Sequence, residues 1–199
     1  MRRIASENVP DSGLRAALLY HTGYWFFGRR LWPPFRFAST IGMRRITRLF
    51  AEKHGIRDLS GLALCSHLNE LRVGDNEIQS LAPISKSTTL EILFASGNQV
   101  SDLSSISTLV RLQNIVMERN QISDLSPLAS LRELRNLCLS HNHITDLAPL
   151  SRLNNLQNLR LYDNRIEDLA PLSSLENLEV LELGMNRIVD ISPLTKLKR

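Results

Sequence analysis

The stretch LYDNRIEDLAPL, Leu161 to Leu172, holds one asparagine between charged neighbours, Asp163 and Arg165, with Asp168 four residues further on. Those residue types suit either a small ligand site or a tight bend of the chain. The spacing of their copies decides between the two. Asparagines recur at 76, 98, 120, 142, 164 and 186, each 22 residues after the last. Around Asn164 stand Leu156, Leu159, Leu161, Ile166, Asp168, Leu169, Pro171, Leu172 and Leu175. One period earlier stand Leu134, Leu137, Leu139, Asn142, Ile144, Asp146, Leu147, Pro149, Leu150 and Leu153. Six copies share this phase, and a weaker seventh precedes them with Ile46, Leu49, Ala51, His54, Ile56, Asp58, Leu59 and Leu62. A fixed period of this length is the signature of a stacked array, in which no single copy can bury its own apolar face.

The pattern L-x-x-L-x-L-x-x-N-x-I-x-D-L-x-P-L-x-x-L resembles the leucine-rich repeat in its short, 22-residue form, that of the bacterial internalins and of the SDS22-like regulators of protein phosphatases. The proline-leucine pair after the acidic residue is closer to the internalin form. The resemblance implies an α/β repeat solenoid: a leucine-rich-repeat horseshoe with a parallel β-sheet on its concave face and 3₁₀ or irregular turns on its convex face.

The chemistry of one copy leads to the same arrangement. Leu159 and Leu161 flank Arg160 with the two-residue period of a strand that buries one face. Asn164 then bends the chain, its amide reaching backbone groups that the turn leaves unpaired. Asn76, Asn98, Asn120, Asn142, Asn164 and Asn186 are therefore expected to stack as a structural ladder. Asp168 and its counterparts Asp102, Asp124, Asp146 and Asp190 are placed to accept N–H groups at the start of the return segment, where Pro171 fits a first helical turn. Too few residues remain in each period for a long helix. Two departures stand out in the core rows. Cys65 and Ser87 take a position that is Leu109, Leu131 or Leu153 elsewhere, which makes Cys65 a buried, inert thiol. Ala95 lies between Val73 and Met117, and the flexible Met117 is suited to fill the space beside it.

Function in such an array is expected in the strand residues that point away from the core. The middle column reads Phe50, Arg72, Phe94, Val116, Cys138, Arg160, Glu182; the column before it reads Arg48, Glu70, Ile92, Asn114, Asn136, Asn158, Val180; the column after it reads Glu52, Gly74, Ser96, Glu118, Ser140, Tyr162, Gly184. Ile92, Phe94, Val116 and Cys138 are apolar where the architecture requires nothing, with Arg72 and Arg160 at either end and Tyr162 beside them. An apolar centre with a charged rim is the composition of a protein-binding hot spot. The expected partner-binding set is Phe50, Arg72, Ile92, Phe94, Val116, Glu118, Cys138, Arg160 and Tyr162.

Other chemistries find less support. The net charge of +4 comes from the first 45 residues, where eight arginines face Glu7 and Asp11; that excess of six leaves the rest of the chain at −2, so no basic field for nucleic acid is expected. His141 and His143 flank Asn142 near Asp163 without a third strong ligand, so no metal is expected. The serines recur without a recurring base, and no glycine-rich phosphate loop is present, so neither an enzyme nor a cofactor is expected. The two cysteines form no disulfide framework, which fits a cytoplasmic protein, with secretion or the cell surface as the alternative. No stretch has the ~18 apolar residues of a membrane span, and Leu14 to Phe27, broken by Arg15 and His21, makes a poor secretory signal.

Two regions leave the period. Residues 1–42, set apart from the array at 43–199, hold both tryptophans, Trp25 and Trp32, and most of the phenylalanines. Three readings stay open for them: a cap on the first rung, a basic aromatic segment touching a membrane, or sequence upstream of a true start at Met43. At the other end SPLTKLKR closes a repeat with no further strand or cap, which would leave an open sheet edge. That edge suggests a truncated chain or self-association, and self-association through solenoid ends stands as the alternative to partner binding on the concave face. A regulatory subunit of an enzyme such as a protein phosphatase is a further alternative drawn from the resemblance.

Overall fold

The computed structural model describes residues 9–21 and 44–197. Seven strands, β1 (Arg48–Phe50), β2 (Glu70–Arg72), β3 (Ile92–Phe94), β4 (Asn114–Val116), β5 (Asn136–Cys138), β6 (Asn158–Arg160) and β7 (Val180–Glu182), form one parallel sheet in sequence order. Every pair is in register by one period, from Arg48 opposite Glu70 to Arg160 opposite Glu182. The middle residue of each strand points inward, and Leu49, Leu71, Leu93, Ile115, Leu137 and Leu159 are fully buried. Short 3₁₀ helices carry the chain back along the convex side, among them Ala82–Ile84, Ser126–Ser130, Ala148–Leu150 and Ala170–Leu172, all with a proline in the first turn. The ring fixes φ near the helical value, and the N–H it removes has no intrahelical partner there.

Each return segment opens on a side-chain acceptor. Asp58, Asp102, Asp124, Asp146, Asp168 and Asp190 accept the N–H two residues on, at 2.7 to 2.8 Å. In the second copy, Ser80 Oγ accepts from Ala82 instead. The Ser126 hydroxyl and N–H hold Asp124 below the usual carboxylate range, and the Ser192 N–H and hydroxyl do the same for Asp190.

The asparagines join consecutive rungs. Asn120 Nδ2 donates to Met117 O and Glu118 O of its own rung and to Ala95 O of the rung before, while its Oδ1 accepts from Val100 N at 3.0 Å. Asn76, Asn98, Asn142, Asn164 and Asn186 repeat this bridging. The contacts run through backbone, so the ladder is a column of rung-to-rung staples rather than a chain of amides touching one another. In the first rung His54 takes this position and is exposed, and its N–H is received by Asn76 Oδ1. The residue before each asparagine or His54 has a left-handed backbone, from Asp75 at φ 53° to Gly97 at 66°. Gly97 has a further reason to be glycine, because a Cβ there would lie 2.5 Å from Asp75 Oδ1.

Among the described residues one helix, α1 (Ser12–His21), precedes the array. Val9, Leu14, Ala17 and Leu18 are buried in the same core as Leu49 and Ile56 of the first rung. Asp11 ties the helix down: its carboxylate accepts from Leu14 N at 2.8 Å as an N-cap, and from Arg57 N and Asp58 N at 2.7 and 3.1 Å. Burial pushes the Asp11 carboxyl up, but these N–H groups outweigh it and hold it below the usual range. A Cβ on Gly13 would stand 2.2 Å from His54 O, so the helix approaches the rung too closely for any side chain there. Trp25, Trp32 and GRRLWPPFRF lie outside the described residues.

Met117 and Ala95 are both fully buried in adjacent rungs. Met117→Ala should lower stability by about 2 to 5 kcal/mol, since the site cannot collapse further onto an alanine neighbour; a urea unfolding midpoint equal to wild type would refute the packing role. Asn120→Ala should cost about 2 kcal/mol or more, because it strands backbone groups of two rungs. Asn186→Ala, in the last and more exposed rung, should shift the same midpoint by less than half as much.

Candidate functional site

The strands present their outward residues as parallel columns, with neighbouring positions about 4.8 Å apart. At the β1 to β3 end a compact charged and aromatic group has formed. Glu70 is buried at 6% exposure on a face where the architecture places no core. Its Oε1 accepts from Arg72 Nε at 2.6 Å, and its Oε2 lies 3.6 Å from Arg48 Nε. The Arg72 guanidinium is thereby held over the Phe94 ring at 4.4 Å, with the Phe50 ring 5.3 Å away on the neighbouring rung. A buried carboxylate thus orients two arginines, and one of them lies between two aromatic rings.

This arrangement corrects the expected patch in two ways. Ile92, Phe94, Val116 and Cys138 are half-buried rather than exposed, because side chains this closely spaced cover one another and Arg72 lies on Phe94. Arg72 is not a rim charge but part of the centre. The strongly exposed apolar groups of the face are Phe50 at 40% and Tyr162 at 41%. Arg160 is exposed and pairs with Glu182 at 3.4 Å across β6 and β7. Glu118 is half-buried, its N–H donating to Ser96 Oγ at 3.1 Å.

The structure adds a feature that residue-by-residue reading missed. Asn136 Nδ2 donates to Asn114 Oδ1, and Asn158 Nδ2 donates to Asn136 Oδ1, so three amides on β4, β5 and β6 form a directed chain on the concave side. The signal was present as identical residues in one column at 114, 136 and 158. Orienting all three amides one way leaves one end able to donate and the other able to accept. Beyond it Tyr162 meets the His141 ring edge-on at 5.4 Å, and His141 Nδ1 lies 2.8 Å from Asp163 Oδ2. No group of three or more His, Cys, Asp or Glu side chains placed to hold a metal occurs among the described residues.

The face can therefore offer stacking, an oriented cation and amide hydrogen bonds. Its thiol is not activated for chemistry. Burial pushes Cys138 up, and Glu118 and Glu182 add to this against the opposing effect of Arg160. Cys65 is fully buried and pushed up to about 12 by burial alone. Iodoacetamide at mildly alkaline pH should accordingly alkylate Cys138 slowly and Cys65 only when urea unfolds the chain, with mass spectrometry of the digest assigning each site. Equal labelling of both in the folded protein would contradict the burial of Cys65.

Known proteins place this geometry. Residues 88–130, 132–174 and 154–196 match the family profile of leucine-rich repeats in two copies. The crystal structure of internalin C2 from Listeria monocytogenes superposes with a TM-score of 0.73 at 31% identity, covering 100% of this chain and 96% of that one. A leucine-rich-repeat protein of Leptospira interrogans shares 25% identity over 72% of this chain and 39% of its own, with a TM-score of 0.65. The functional domain of internalin J from Listeria monocytogenes, at 20% identity and a TM-score of 0.54 over 96% of this chain and 50% of its own, shows the fold alone. No match is found among the curated proteins. With the repeat, the parallel sheet and this likeness together, the chain belongs to the leucine-rich-repeat family, in its bacterial internalin-like form.

Proposed function

We propose that the chain is a non-catalytic protein-binding module whose concave face holds one partner, centred on Phe50, Arg72, Ile92, Phe94 and Val116, with Glu118, Cys138, Arg160 and Tyr162 on the side of the later strands. Leucine-rich-repeat proteins are generally protein-interaction modules, and the observation that supports this face is the buried Glu70. A carboxylate withdrawn from water is unfavourable unless it is paired. Here its two arginine partners face outward, apart from the leucines and asparagines that hold the rungs together. Arg72, set over Phe94 and beside Phe50, is restrained before any partner arrives, so less side-chain entropy is lost on binding. Arginine and aromatic residues grouped in this way are the usual anchors of protein interfaces.

The test is a capture experiment from the source cells with the wild type and a Phe50→Ala, Arg72→Ala, Tyr162→Ala variant, each shown to melt at the wild-type temperature. The variant should lose the specific partner, with affinity for it reduced at least about tenfold for the strongest single substitution. An unchanged partner list at unchanged affinity would remove the concave face from the function.

A further inference from the structure

The outward side chains of β5 are short, and those beside them are long. Register sets Cys138 between Val116 and Arg160, and it continues past the strands, with Arg119 and His141 donating N–H to Ser140 O and Tyr162 O at 2.9 and 2.8 Å. Ser140 thus lies between Glu118 on the rung before and Tyr162 on the rung after. The backbones of those two rungs are about 9.6 Å apart, twice the strand spacing, with only a thiol and a hydroxyl between them. Two polar groups in this dip lack partners that their counterparts have. Glu70 and Glu182 on the same face are paired with arginines, whereas Glu118 is half-buried and its carboxylate has no hydrogen bond or ion pair among the described residues. The Ser96 hydroxyl accepts the Glu118 N–H at 3.1 Å, whereas the Ser140 hydroxyl, on a residue only 5% exposed, has no hydrogen bond among the described residues. A half-buried carboxylate and a buried hydroxyl without donors are unfavourable as they stand. The far wall is fixed in place. Tyr162 meets His141 edge-on, Asp163 holds His141, and a Cβ on Gly184 would stand 3.0 Å from Tyr162 Cδ2. The cation beside the dip, Arg160, is engaged by Glu182 on β7.

We propose that the dip over β5 takes a basic side chain, lysine or arginine, of the partner protein. Glu118 pairs with its charge, the Ser140 hydroxyl accepts one of its N–H groups, and the Tyr162 ring flanks it on the far side. This rests on the concave face being the binding face and adds what the partner brings to it. Charge complementarity selects a base over the other side chains. An acid would be repelled by Glu118. An apolar side chain would take Glu118 and Ser140 further from water and still leave them without donors, which is worse than the free state. A neutral donor would satisfy the hydroxyl and leave the carboxylate charge uncompensated. A cation carrying N–H groups satisfies both, through charge-assisted hydrogen bonds, and is attracted to an aromatic ring as well. The Tyr162 ring is already restrained by His141 and Gly184, so little ordering is required of it when the base arrives.

The probe is a random peptide library displayed on phage and selected on the immobilised chain, after which the strongest peptide is synthesised and its affinity measured by calorimetry. The selected peptides should share a lysine or arginine. Exchanging that residue for methionine should weaken binding to the wild type at least about tenfold, and weaken binding to a Glu118→Gln variant far less, because the two changes remove the same contact. Glu133→Gln alters an exposed acid outside the three columns and should bind the peptide as the wild type does, which separates local pairing from net charge. Both variants should melt at the wild-type temperature. A selection that enriches no peptide, peptides without a shared base, or a methionine exchange equally costly in wild type and Glu118→Gln would each overturn the proposal. Peptides weakened by Arg72→Ala but not by Glu118→Gln would overturn it while leaving the concave face as the binding surface; peptides indifferent to both would overturn it and count against the face itself.

Discussion

The structure depends on one side-chain amide per rung that bonds to two rungs at once. Asn120 donates to carbonyls of its own bend and of the bend before it, and accepts from Val100 of the preceding rung. Bending a chain this sharply after a three-residue strand leaves carbonyls turned inward with no strand to meet them, and a buried polar group without a partner is strongly unfavourable. A carboxamide both donates and accepts, so asparagine can satisfy the two sides together. The identity of this one residue therefore sets the bend, the bend sets the 22-residue rise, and the rise brings the leucines into a continuous core.

A one-dimensional stack has two ends, and the molecule treats them unequally. At the first rung α1 supplies the apolar neighbour that a preceding copy would have supplied, and Asp11 receives the N–H groups of Arg57 and Asp58. At β7, where Leu181 and Leu183 are half-buried, no helix among the described residues plays that part. The edge problem of parallel sheets is thus solved on one side by the chain's own helix.

The concave face follows different physics. Its residues are not required by the stack, so they are free to form interactions of their own, and they form them by column. Glu70 with Arg72 and Arg48, Phe50 with Phe94 through Arg72, and Asn114 with Asn136 and Asn158 all join residues one or two positions apart on the same or adjacent strands. The result is a surface already partly desolvated and restrained, and a protein bound on it would have less ordering to impose.

The sequence by itself determined the period, the number of rungs, the strand register and the placement of the core leucines within the repeats, because a 22-residue repeat with alternating apolar positions admits one way to stack. It also determined which residues share a concave column, and the acceptor role of Asp102, Asp124 and Asp168 followed from turn chemistry. What only the tertiary structure decided is how side chains without a fixed rotamer settle against neighbours distant in sequence. Arg72 reads as a free charge until β1 and β3 bring Phe50 and Phe94 to either side of it, and Ile92 and Val116 read as exposed until adjacent rungs cover them. The docking of α1 was equally illegible, since Val9 and Gly13 lie outside the period and meet Gly61 and Ile56 only across the closed end of the array. Periodicity reports the contacts that recur, and these contacts occur once.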